Sequence, residues 1–171
     1  MKFCYKYSDD IYNGKIYMTN DTSILFYCNN KVKQKLDYTV SLGGNPRYLI
    51  DLSHDTGQCG NIRFFMDGEK VFLKKLNIPK NKKGKLYFQS DDEMTEYSGE
   101  MYMLFEDICY YDEENGILCF GNPDAQGEVI EFISNIFAVI KDDRLFAVFM
   151  KINSLLDKIA VRKGRVCRIS K

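Results

Sequence analysis

The chain contains no tryptophan, one histidine, three prolines and no Cys-x-x-Cys pair in 171 residues. A single histidine and six scattered cysteines (Cys4, Cys28, Cys59, Cys109, Cys119, Cys167) weigh against a zinc site, whose ligands usually come in closely spaced pairs. No long hydrophobic run occurs. The longest, Leu145–Met150, has six residues, against the roughly 20 that a membrane-spanning helix needs. Asp9 and Asp10 fall where a secretory leader needs an apolar stretch, so the sequence predicts a cytoplasmic protein without a membrane partner. In that compartment the thiols stay free and pack as small hydrophobes. Gly-x-Ser-x-Gly, His-Glu-x-x-His and a dinucleotide fingerprint are all missing. Gly43-Gly44 has no Lys-Ser/Thr after it, as a phosphate loop requires. The expectation is a chain with no metal and no cofactor.

Basic residues are the other scarcity. Between Leu86 and Ile140 there is no Lys, Arg or His, and the same stretch carries 13 carboxylates. The flanking segments are basic, so the net charge of the whole chain is zero. Two physical readings follow. In the first, the acidic stretch pairs with the lysine-rich segment 70–85, each cross-strand ion pair adding tenths of a kcal/mol and helping to set register. In the second, it forms one negative face that attracts a basic partner and repels nucleic acid. The first is preferred, because runs of charge are usually solvated faces. Asp91, Asp92, Glu93, Asp112, Glu113 and Glu114 lie at the ends of strand signals and are expected to be exposed. They are the candidate partner-binding residues.

What is plentiful is strand signal. Hydrophobic residues make up 45% of the chain and include 12 Tyr and 12 Phe, and apolar runs recur between turn residues. The pattern predicts strands at Lys2–Tyr7 and Lys15–Met18, which flank a turn running from Asp9-Asp10 to Asn13-Gly14, and at Ser23–Cys28, Leu36–Leu42, Tyr48–Leu52, Asn61–Met66, Val71–Leu76 and Lys85–Gln89. Asp67-Gly68 reads as a tight hairpin into Val71–Leu76, and Lys80–Gly84 as a basic loop tip. Met101–Tyr111 alternates for eleven residues, long enough to need a bulge near Asp107. Asn115-Gly116 is a strong hairpin signal into Ile117–Phe120. Glu128–Ile133, Asn135–Lys141 and, after a turn at Asp142-Asp143, Leu145–Ile152 complete what reads as a meander. Two stretches read as helix: Asp91–Tyr97, with an acidic start, and Leu155–Arg162, capped by Asn153 or Ser154. The predicted fold is mainly β (α+β): antiparallel sheets built from meanders and hairpins, sandwich-like or strongly curved, with one or two short helices including a C-terminal one. It is read as a single domain over 1–171, with a basic half 1–90 and an acidic half 91–171.

Constellations for chemistry are few. His54 lies five residues before Cys59, a spacing that rarely builds a nucleophile–base pair, so an ordinary loop histidine is preferred. Asp55-Thr56-Gly57 matches the triplet of aspartic proteases but occurs once and has the wrong flanks, so a turn is preferred. His54, Asp55 and Cys59 are therefore the loop candidates. Asn122, Asp124, Gln126 and Gly127 mimic a calcium loop, yet its twelfth position is Ile133, and a turn is again preferred. The leading functional expectation is a non-enzymatic binding protein with an acidic surface for a basic partner, most concretely an immunity or inhibitor protein that neutralises a toxin or nuclease. The alternatives are a small-ligand-binding β-domain or enzyme with a scattered site, and a structural or assembly subunit. Nucleic acid is not an expected partner.

Overall fold

A computed structural model describes residues 2–19, 23–28, 35–42, 47–65, 71–90, 100–101 and 109–152. These residues are mainly β, as expected. The predicted helices at 91–97 and 155–162, and the turn at 67–68, lie outside them.

The strands are β1 (Lys2–Tyr7), β2 (Gly14–Thr19), β3 (Ser23–Cys28), β4 (Tyr38–Ser41), β5 (Arg47–Leu52), β6 (Cys59–Phe65) and β7 (Val71–Leu73). They continue with β8 (Lys82–Gln89), β9 (Glu100–Met101), β10 (Cys109–Asp112), β11 (Ile117–Gly121), β12 (Glu128–Ile133), β13 (Ile136–Lys141) and β14 (Arg144–Lys151). They form an eight-stranded sheet in the order β1-β8-β12-β13-β14-β11-β10-β7 and a six-stranded sheet in the order β2-β3-β6-β5-β4-β9. Most pairs are antiparallel. The exceptions are β7 with β10, β8 with β12 and β4 with β9.

Four expected connections are corrected. β1 and β2 do not face each other across the turn at 8–13 but belong to different sheets, and Tyr12 in that segment bridges to Ile133 instead. β6 and β7 likewise belong to different sheets, so they are not a hairpin pair. The alternating run 101–111 is not one bulged strand: its ends form β9 and β10, again in different sheets. Lys82, Lys83 and Gly84 are not a loop tip but the start of β8, which lies beside β12 through Lys82↔Ile130 and Lys83↔Glu131.

The last four strands are also not a plain meander. β12, β13 and β14 follow one another, but β11 lies against β14, a four-strand Greek key. The crossing is made by residues 122–127. Asn122 N–H donates to Phe146 O of β14 at 3.0 Å, and Gly127 lies so close to β13 that a Cβ on it would stand 2.4 Å from Ile140 O. Two tight turns join the other strands. Asn135 closes one with φ +64°, and Asp142 and Asp143, at φ +49° and +58°, form the paired left-handed turn that suits hairpin twist.

Burial explains the sequence patterns. In the six-stranded sheet Tyr38, Val40, Tyr48, Ile50, Leu52, Ile62 and Phe64 are buried. Their neighbours Thr39, Asp51, Asn61 and Arg63 point the other way, as period-2 alternation requires. There Arg63 grips Asp51 through Nε at 3.0 Å and through Nη2, while Thr39 Oγ1 and Asn61 Nδ2 donate to the same carboxylate at 2.7 and 2.8 Å. The eight-stranded sheet has apolar residues on both faces. Leu118, Phe120, Ile136, Ala138, Val148 and Met150 join the core shared with the six-stranded sheet, where the Phe120 ring lies 4.2 Å from that of Phe64 and 4.4 Å from that of Tyr48. Ile117, Cys119, Phe137, Val139, Ala147 and Phe149 form a second cluster on the opposite face with Leu76. Burial on two faces is why β11, β13 and β14 read as continuous apolar runs. Ile140 pairs with Leu145 and Val139 with Ala147, so Phe146 is the extra residue of a bulge, and its side chain is exposed.

Cys4, Cys59, Cys109 and Cys119 are free thiols. Titration of denatured, non-reduced protein is expected to find all six cysteines of the chain reactive. Four or fewer would contradict the expectation of a reducing compartment.

Candidate functional site

The β10–β11 hairpin is built around Asp112. Its turn, 113–116, ends at Gly116 with φ +61°, where glycine meets no steric penalty. Asp112 Oδ1 accepts from the N–H groups of Glu114 and Asn115, both at 3.0 Å. Oδ2 accepts from Asn115 Nδ2 at 2.9 Å and from Leu76 N–H at 2.8 Å. The carboxylate thus closes its own turn and pins the chain that leaves β7. Burial alone pushes its pKa up. The Asn115 side chain and the N–H groups of Leu76, Asn115 and Glu114 outweigh that effect and hold the carboxyl below its usual range.

This corrects the expected exposure of Asp112, which is only 4% accessible. Its neighbours do reach water: Glu113 is exposed, and the Glu114 side chain is 81% accessible. Asp91, Asp92 and Glu93 lie outside the described residues. Among the described residues, the lysines of 70–85 meet the acidic stretch at three places. Lys74 contacts Asp124 at 2.7 Å, Lys75 approaches Glu114 at 4.0 Å, and Lys82 lies 3.9 Å from Glu128. Lys82 also donates to Tyr7 Oη at 3.2 Å, and Tyr7 in turn donates to Glu128 at 2.9 Å. Lys74, Lys75 and Lys82 thus lie beside carboxylates of the acidic stretch, in contacts between largely exposed side chains. The carboxylate at Asp124 belongs to a turn in which Asn122 Oδ1 accepts from Asp124 N–H at 2.9 Å, as the turn reading of 122–127 expects.

The 53–58 loop is a clamp between sheets. Gly57 N–H donates to Ser53 O at 2.7 Å, Ser53 N–H to Gln58 O at 3.0 Å, and Phe88 N–H of β8 to Gly57 O at 2.9 Å. Gln58 bridges to Tyr87. Cys59, the first residue of β6, is buried, and burial pushes its thiol pKa up. His54 Nδ1 lies 3.8 Å from Asp55 Oδ1, and Asp55 itself is 92% accessible, unlike the close carboxylate pair of an aspartic protease. The backbone N–H of His54 donates to Asp37 at 2.9 Å, a bond that does not involve the imidazole. Replacing His54 with alanine is expected to change stability by less than about 0.5 kcal/mol, read from urea unfolding. A loss of several kcal/mol would make the imidazole part of the clamp.

The residue that sequence reasoning misassigned is Asp112. A local signal existed: Asp followed by Asn three residues on and then Gly is the composition of a side-chain-closed turn. The contact with Leu76 had none. Among the described residues, no group of three or more His, Cys, Asp or Glu side chains could hold a metal ion, and no helix is long and apolar enough to cross a membrane. No protein-family model matches this chain, and a search of curated proteins finds no match either.

Proposed function

We propose that this chain is a non-enzymatic binding protein that presents the acidic β10–β11 turn to a basic partner. The concrete form is an immunity or inhibitor protein that neutralises a toxin or nuclease by complementary charge. One observation carries the reading. Glu113 and Glu114 are exposed on a turn whose backbone is already fixed by buried Asp112. Carboxylates on a pre-ordered turn lose little further freedom when a partner binds, and their field speeds its approach. Asp112 then supports the surface rather than forming it, and Asp91, Asp92 and Glu93 are its proposed extension. We take the two sheets as a sandwich, supported by the ring contacts of Phe120 with Phe64 and Tyr48. The setting is the cytoplasm, where buried thiols such as Cys59 and Cys119 stay reduced.

The test uses an oligolysine peptide added to isotope-labelled protein and followed by NMR. Amide shifts are expected to centre on Glu113–Gly116 and to shrink as salt rises, since exposed charges are screened beyond roughly 8 Å at physiological ionic strength. Glu113→Lys with Glu114→Lys is expected to weaken the binding at least about tenfold, roughly 1.4 kcal/mol, while shifting the urea midpoint little, because the Lys75–Glu114 contact is solvent-exposed. Shifts spread evenly over the carboxylates, or unaltered by the double substitution, would overturn the proposal.

A further inference from the structure

We draw no further inference here: the strongest candidate, the edge strand β7 with Phe72 and Leu73 half exposed at the margin of the eight-stranded sheet, carries nothing because nothing in the structure shows what covers it.

Discussion

Asp112→Ala is expected to lower the stability of the fold by about 3–5 kcal/mol, because it strips the acceptor from several donors at once. The donors are not equal. The N–H groups of Glu114 and Asn115 sit on an exposed turn and can turn to water when the carboxylate is gone. Leu76 is buried, and its N–H has Asp112 Oδ2 as its acceptor at 2.8 Å. An orphaned buried donor costs about 1–3 kcal/mol by itself, and lost bonds to a charged group add to that. Asp112→Asn keeps one carbonyl oxygen but sets an amide NH2 among donors, so it is expected to recover less than half of the loss. Urea unfolding measures both, and a cost below about 1 kcal/mol for the alanine variant would show that the chain at Leu76 is held by packing alone.

The same residue sets a pH dependence whose sign follows from its environment. The folded pKa of Asp112 is lowered, because the hydrogen bonds to the charged form outweigh burial. Its contribution to stability is complete above the unfolded value, near 4, and is lost as pH falls through the folded value. Between neutrality and that region Asp112 adds no slope. Acidification below about pH 4 should therefore destabilise the wild-type chain more steeply than Asp112→Asn, which carries no titrating group there. Parallel acid limbs for the two proteins would remove Asp112 from the acid response.

Gly57→Ala is the second large effect, an expected loss of about 3 kcal/mol or more. Gly57 has φ +68°, where a side chain is strained, and a Cβ on it would stand 2.2 Å from Phe88 O, a backbone atom that cannot swing aside. Relief requires the 53–58 loop to lift from β8, which breaks the bond from Phe88 N–H to Gly57 O. Gly60→Ala is the comparison. There the nearest atom is Leu36 Cδ2 at 2.8 Å, the end of a flexible side chain, and φ is not in the left-handed region, so the cost should be clearly smaller. Lifting the loop should also uncover Cys59, so its labelling by a thiol reagent in native buffer should quicken in Gly57→Ala. Equal stability of the two glycine variants would mean that the loop does not clamp the sheets together.

Strand positions were legible wherever period-2 apolar patterning met strong turn residues. β1, β3 and β12 begin and end at the residues that the strand signals mark, and the Asp142-Asp143 turn is where two adjacent left-handed residues close a hairpin. Contacts of lysines in 70–85 with the acidic stretch were also readable from charge, at Lys74, Lys75 and Lys82. The candidate site was legible only as composition: the carboxylates of 112–114 could be named, but not the one among them that turns inward.

The sequence by itself determined a mainly β chain and most of its strand segments, because alternation and turn chemistry act over a few residues. Only the tertiary structure decided which strand lies beside which. β11 is beside β14 rather than β12, β7 is beside β10 rather than β6, and β9 and β10 lie in separate sheets. The ladder of N–H and C=O groups is chemically the same on every strand, so it records no partner, and the choice falls to packing between residues far apart in the chain. Asp112 is buried for the same reason: its turn is local, but the Leu76 amide that covers it arrives from 36 residues away.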